Sequence, residues 1–241
     1  MLVQTNAIVL TSVKYGESDL IVKCLTQEGI KSYMLRRVFS SKSKKLRLAY
    51  FQPLTLLELT ANHNKKGRLN SLKEVRASYL YQNIPTDISK QSIALFLAEV
   101  LASSIREEEP NPDLFEYIQT ALIWLDANDK ISNFHLLFLL NLTRFLGFYP
   151  DTRQSGSQYF DLAEGSFCTS TPTNPYLDKE KLSLFKTLIG IKFDDVVRLK
   201  WNSEKRSVLI EILLNYYEFH LPGFKMPRSL NVLKDVFNEV S

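Results

Sequence analysis

The chain has 241 residues, about 45% of them hydrophobic, and a formal net charge of +4 at pH 7, enough for one large domain or two smaller ones with packed cores. No run of eighteen apolar residues occurs, which excludes a transmembrane helix, and the opening MLVQTNAIVLTSVKYGESD lacks the basic-then-apolar order of a secretory signal. Cys24 and Cys168 are the only cysteines, so a disulfide framework and a four-Cys zinc site are excluded, and the chain reads as cytoplasmic, without membrane, cofactor or metal.

The first third reads as strands. A β-favouring segment around Ala7 to Leu10 runs to Tyr15 and Gly16. Leu20, Val22 and Cys24 alternate with Ile21, Lys23 and Leu25, the period of two of a strand, which makes Cys24 a small core residue. Gln27-Glu28-Gly29 supplies a hairpin turn before a third strand from Ile30 to Leu35. A fourth strand is predicted from Phe51 to Thr60, with Pro53 near its start, where a missing N–H is tolerated. Asn62 to Gly67 turns the chain, and Leu69 to Ala77 makes a fifth strand. Five strands this short point to a small closed barrel, because open edges would otherwise remain, and the OB fold is the common five-stranded form.

From Leu80 onward the period changes to that of helices. Ile93, Phe96, Leu97, Val100 and Leu101 mark one helical face. Asn111 and Pro112 form an N-cap and first-turn pair leading into Leu114, Ile118, Ala121, Leu122 and Leu125. Asn133 is expected to cap a third helix, FHLLFLLNLTRFLG, whose wide apolar face requires central burial and which Gly147 ends. The stretch from Tyr149 to Pro175 is irregular, with a small hairpin in QYFDLAEGSFCTS turning at Glu164-Gly165. Helical periodicity returns at Leu182, Phe185, Leu188 and Ile189, then from Glu204 to Phe219 and from Ser229 to Phe237. The fold class is therefore α+β: an OB-fold barrel over residues 1–79, then an α-helical domain over 80–241 with a small hairpin insertion at about 150–176.

Charge is divided unevenly along this plan. Residues 1–76 hold 14 Lys and Arg against 5 Asp and Glu, a balance of +9, whereas residues 77–241 hold 16 against 21, a balance of −5. Such asymmetry suits a module that faces a polyanion. Between Gly29 and Leu57 lie Lys31, Arg36, Arg37, Lys42, Lys44, Lys45 and Arg47 with no carboxylate. Each cation that meets a phosphate releases condensed counterions, giving salt-sensitive, sequence-independent affinity. Lys65, Lys66 and Arg68 form a second basic turn one strand later, and in a barrel two such loops can flank one groove that tracks a single strand. Tyr33, Phe39, Tyr50 and Phe51 are interleaved; they read as base-stacking platforms or, for Tyr50 and Phe51 at least, equally as barrel core.

Catalytic patterns are weak beside this. His63, His135 and His220 are far apart and make no H-E-x-x-H arrangement, with His135 reading as a helix residue that is partly buried. No phosphate-loop, dinucleotide or serine-hydrolase signature occurs. Asp194-Asp195 could serve a metal-dependent nuclease, but beside a helix start such carboxylates more simply favour the macrodipole. Glu107, Glu108 and Glu109 read as a solvated helix end.

Several stretches together resemble one family. YGESDLIVKCLTQEGI resembles the signature of the bacterial RecO recombination mediators that begins G-E-x-D, and LRRVFSSKSKKLRLAYFQPLTLLEL looks like their basic loop and following strand. GRLNSLKEV is similar to the family's fifth strand and FHLPGFKMPRSLNVL to its C-terminal segment, so the resemblance runs through almost the whole chain in order. It implies a DNA-repair protein of homologous recombination in the RecF pathway, without enzymatic turnover, cytoplasmic and nucleoid-associated. It implies binding of single- and double-stranded DNA, annealing of complementary strands, and action with RecR in loading RecA onto strands coated by single-stranded-DNA-binding protein. The family's pocket for that protein's acidic C-terminal tail lies in the helical domain, where His135 and Arg144 fall nearby. Many members carry four zinc cysteines after the long buried helix; this chain keeps only Cys168 there, so no metal is expected and Tyr159, Phe160, Leu162 and Phe167 are expected to hold the hairpin instead. The expected DNA-binding residues are Arg36, Arg37, Lys42, Lys44, Lys45 and Arg47, flanked by Lys65, Lys66 and Arg68, with annealing served by cations that offset repulsion between two backbones. An RNA-binding OB module is the alternative, since Lys and Arg do not report the sugar, and a nuclease using Asp194 and Asp195 is the more distant one.

Overall fold

A computed structural model of the chain describes residues 1–39, 48–64, 69–106, 109–191, 195 and 198–239. Five strands come first: β1 (Leu2–Tyr15), β2 (Asp19–Thr26), β3 (Gly29–Leu35), β4 (Leu56–Asn62) and β5 (Asn70–Ala77). They close a barrel in the order β1-β2-β3-β5-β4, antiparallel except where β3 meets β5. This is the five-stranded OB-type barrel that the alternating pattern predicts. Leu20, Val22 and Cys24 are fully packed inside, together with Ala7, Val9, Leu57, Leu59 and Ala61.

β1 serves two neighbours. Its first half pairs with β4 as far as Ile8, and its second half pairs with β2 out to Tyr15 and Asp19. A bulge between Val9 and Thr11 interrupts the β2 pairing, and such an extra residue bends a strand and shifts its alternation. Lys14 consequently stands opposite the buried Leu20, on the barrel's inner side at one end.

Two strand limits differ from the sequence reading. The fourth strand begins at Leu56, not Phe51, because residues 51–54 form a turn. Leu54 there adopts φ 64° and donates its N–H to the Val9 carbonyl at 2.7 Å. A proline followed by a left-handed residue cannot extend a ladder. The fifth strand begins at Asn70, whose amide donates to the Ser32 carbonyl at 3.1 Å and accepts the Asn64 N–H at 2.9 Å.

The chain packs as two compact units, Met1–Ala127 and Asn128–Ser241. The first holds the barrel with α1 (Ile88–Ser104) and α2 (Pro112–Ala127). Asp87 caps α1 by accepting the Ser89 and Lys90 N–H groups, and Asn111 accepts the Leu114 N–H at 3.0 Å ahead of Pro112, as its sequence position predicts. The segment between β5 and α1 is pinned by one carboxylate. Asp126, at the end of α2 and only 1% exposed, accepts the N–H groups of Gln82, Asn83 and Ile84 at 2.8–2.9 Å and the Tyr79 hydroxyl at 3.2 Å. Its own carbonyl receives the ammonium of the buried Lys90 at 2.8 Å.

The second unit contains α3 (Phe134–Phe145), a small sheet of β6 (Tyr159–Asp161), β7 (Ser166–Cys168) and β8 (Tyr176–Leu177), then α4 (Lys179–Ile189), α5 (Ser203–His220) and α6 (Leu230–Glu239). Asn133 precedes α3 as expected but does not cap it with its side chain, which donates instead to the Leu199 carbonyl at 2.9 Å. The hairpin of β6 and β7 turns at Gly165, and β8 adds a third strand on the other side of β6 that sequence periodicity does not signal. Phe160 anchors this sheet between Phe167 and Phe185, each with ring centroids 4.9 Å away. Gly165 has φ 66°, and a Cβ there would sit 2.6 Å from the Tyr216 hydroxyl, so both backbone and space require glycine. The His220 Nε2 donates to the Leu162 carbonyl at 2.9 Å, closing the turn onto α5.

Burial alone would raise the Asp126 carboxyl pKa, but the three backbone N–H donors outweigh it and hold the group below its ordinary value of 3.8. A carboxylate depressed by folding stabilises the native state above its unfolded pKa and ceases to do so as pH falls through the folded one. Asp126→Asn is therefore expected to cost about 1.5–3 kcal/mol at pH 7, the range for hydrogen bonds to a charged group. Urea unfolding at pH 7 and near pH 2.5 checks it: the gap between wild type and variant closes in acid.

Candidate nucleic-acid interface

The first basic segment leaves β3 at Leu35, and its root is described as far as Phe39. Arg36 and Arg37 are exposed there. Lys42, Lys44, Lys45 and Arg47 lie outside the described residues, as do Lys65, Lys66 and Arg68. What is described is where those segments begin and end. β3 and β5 pair only at Tyr33 with Asn70 and Met34 with Ser71, and beyond these two positions a cleft of about 1340 Å³ opens. Arg36, Val38 and Tyr50 line it, flanking one basic segment, and so do Asn64 and Leu69, which bracket the other. Lys73 adds a cation and Glu74 an anion to the same wall.

The interleaved aromatics divide by burial. Tyr33 and Phe51 are 1% and 2% exposed and belong to the barrel core, so neither presents a face to a base. The Tyr33 hydroxyl faces His63 Nε2 at 3.0 Å inside the molecule, and burial raises the Tyr33 pKa above the ordinary phenol value. Burial likewise lowers the His63 pKa, against the opposing pull of Glu28. Phe39 and Tyr50 are half-buried against the core, which leaves part of each ring accessible. The Lys14 ammonium lies 5.5 Å from the Phe39 ring centroid, a cation–π pair at the open end of the barrel.

A carboxylate stands beside these cations, and the charge pattern does not reveal it. Asp19, within the G-E-x-D stretch, accepts the Arg37 N–H on Oδ1 at 2.8 Å and the Ser18 hydroxyl at 3.1 Å. The Arg37 backbone bond, more than any other influence, holds the Asp19 carboxyl below the usual carboxylate range. Arg37 itself adopts φ 55°.

Among the described residues, those that could have served catalysis do not assemble. His135 is buried in the second unit beside Phe237, and burial together with the nearby Arg206 charge pushes its imidazole down to about 3, so it is neutral at physiological pH. Arg144 stacks on Tyr149, its guanidinium 3.8 Å from the ring centroid. Asp194 lies outside the described residues, and Asp195 pairs with Arg198 at 3.0 Å. Among the described residues no three His, Cys, Asp or Glu side chains converge as a metal site, and no helix is long and apolar enough to cross a membrane. Cys24 is sealed in the barrel, where burial pushes its thiol up to about 12.

Comparison with known proteins gives this geometry a family. Residues 1–81 match the family model for the recombination protein O N terminal, and residues 85–229 match that for the recombination protein O C terminal. The chain belongs to the RecO family. It is 46% identical over 239 residues to the DNA repair protein RecO of Flavobacterium psychrophilum and 45% identical over 239 to that of Flavobacterium johnsoniae, covering 99% of this chain and 100% of each relative. The DNA repair protein RecO of Phocaeicola vulgatus is 34% identical over 241 residues with the same coverage. The two family models thus span the barrel and the helical part of a RecO chain, in the α+β order expected from the sequence.

Within this RecO barrel the aromatic core has a direct consequence. Tyr33→Ala removes a core ring and is expected to cost about 3–5 kcal/mol, measured by urea unfolding. A Tyr33→Ala protein with wild-type stability would return Tyr33 to the surface-stacking role.

Proposed function

We propose that the barrel binds DNA, single- and double-stranded, and that the protein anneals complementary strands and assists recombinase loading in homologous recombination. What supports this most is that the described residues flanking two carboxylate-free basic segments line one cleft: Arg36 and Tyr50 on either side of the first, Asn64 and Leu69 on either side of the second. Dense cations on such a surface neutralise phosphate without reading sequence. The residues proposed to meet phosphate are Arg36, Arg37, Lys42, Lys44, Lys45 and Arg47, with Lys65, Lys66 and Arg68 beside them. Phe39 and Tyr50 are the aromatics left with ring surface for an unpaired base.

Annealing on this surface needs no acid or base. Two phosphate backbones repel, and a shared field of cations lowers that repulsion while leaving base edges free to pair. The action is stoichiometric, without enzymatic turnover. Family membership supports the remaining assignments: a barrel domain over residues 1–79 for nucleic acid, an α-helical domain over 80–241 for RecR and for the acidic C-terminal tail of single-stranded-DNA-binding protein, and a cytoplasmic, nucleoid-associated location.

The test replaces Lys42, Lys44, Lys45 and Arg47 together by Ala. The slope of log affinity against log salt for a single strand is expected to fall by about 0.7 for each phosphate left without its cation, with the unfolding temperature unchanged. An unaltered slope removes these four from the interface. Titrating matched DNA and RNA strands into the wild type separates the DNA reading from an RNA-binding module. Annealing measured on strands coated with single-stranded-DNA-binding protein then tests the mediator role itself.

A further inference from the structure

A phosphate-binding surface is weakened by a carboxylate among its cations, yet Asp19 lies close enough to Arg36 and Arg37 for both charges to act on it. Its position in the fold suggests why it is there. Asp19 opens β2, directly after the turn from β1. Its Oδ1 accepts the Arg37 N–H at 2.8 Å, and the neighbouring Ser18 carbonyl accepts the Phe39 N–H at 3.2 Å. Two alternate N–H groups at the root of the basic segment are therefore tied to one turn. Between them Val38 is buried in the barrel core, while Arg36 and Arg37 remain exposed. Arg37 is held at φ 55°, a left-handed conformation that a residue with a Cβ seldom adopts unless its surroundings impose it.

We propose that Asp19 is a positioning residue for nucleic-acid binding: by holding the Arg37 backbone against the β1–β2 turn, it sets the direction in which Arg36 and Arg37 reach for phosphate. This rests on the reading of the barrel as a DNA-binding surface. It accounts for the Asp of the G-E-x-D stretch, which strand periodicity alone leaves without a task.

Position and charge make opposite predictions, which allows a decision by sign. If Asp19 acted only as a negative charge near phosphate, Asp19→Ala would tighten binding, as would Glu17→Gln in the same turn, and Asp19→Glu would change nothing. Positioning requires the reverse for Asp19. Asp19→Ala loses the acceptor and Asp19→Glu displaces it by one methylene, so both weaken binding. Asp19→Asn keeps an acceptor oxygen at the same reach and binds at least as well as wild type.

The experiment is a salt titration of a fluorescent thymidine oligonucleotide against the full chain and these four variants, with unfolding temperatures recorded alongside. Asp19→Ala and Asp19→Glu are expected to lose affinity and to lower the salt slope by about 0.7–1.4, one or two phosphates on a single strand, while Asp19→Asn and Glu17→Gln keep the wild-type slope. If Asp19→Ala fails to fold, Asp19→Glu, which retains the charge, still decides. Tighter binding by Asp19→Ala, or a wild-type slope in both Asp19→Ala and Asp19→Glu, overturns the proposal. A wild type that binds the oligonucleotide weakly and without salt dependence overturns the DNA reading instead, before any variant is compared.

Discussion

Closure of the barrel between β3 and β5 is the constraint on which the candidate interface depends. Strand order β1-β2-β3-β5-β4 makes neighbours of two strands that are not consecutive in the chain, and they join through only two paired positions. Because this parallel pairing is offset, with Tyr33 and Met34 against Asn70 and Ser71, the end of β3 meets the start of β5. The chain leaves β3 into residues 36–47 and enters β5 from residues 65–68. That offset therefore puts the exit from β3 and the entry to β5 side by side, each joined in the chain to a basic segment. This closeness of the two strand ends follows from backbone pairing and from the apolar core that closure encloses. In that core Val22, Cys24, Leu57 and Ala61 are completely buried, and even Tyr33 gives its ring to the interior.

Backbone N–H groups captured by carboxylates recur in the first unit, in two settings. Asp126 does this in the interior, where burial penalises its charge and only several donors together keep it ionised. Asp19 does it near the surface, where the Arg37 N–H above all, helped by the Ser18 hydroxyl and the neighbouring arginine charges, favours its ionised form. The same chemistry consequently has different roles. The buried group fixes the path from barrel to helices, with Lys90 saturating the carbonyl at the end of α2. The exposed one is worth little as a store of stability and matters through the geometry it imposes on the residues that follow β3.

Sequence periodicity located the five strands because alternation is a direct imprint of inside against outside, and the packing of Leu20, Val22 and Cys24 preserves it unchanged. It failed at Phe51, where an apolar residue looks strand-like but belongs to a turn whose side chains cap the barrel. Apolar content reports burial, and burial is shared by strands and by turns that fold over a core. The division of Tyr33, Phe39, Tyr50 and Phe51 into core and half-exposed rings was equally hidden, since it depends on which face of β3 points inward and on the turn that precedes β4. Asn133 kept its place before α3 but gave its amide to the distant Leu199 carbonyl, a choice that only tertiary packing makes. The basic segments were legible as composition. The bond from Arg37 to Asp19 was not, because nothing in the letters around Arg37 announces a positive φ.

The second unit shows what packing supplies where the family resemblance leads one to look for cysteines. A zinc site holds a hairpin through four strong bonds that need no surrounding core. Here the hairpin is held by area: Phe160 is wholly buried between Phe167, Phe185 and Tyr216, and the turn lies so close to Tyr216 that only glycine fits at position 165. Tyr216 reaches past it to the Phe148 carbonyl at 2.8 Å, while Phe148 stacks on His220, which in turn holds Leu162. Such a cluster depends on α5 being in place, so the hairpin and that helix form together or not at all. A hairpin held by metal could form before its helix; one held by aromatic burial is part of a single cooperative core.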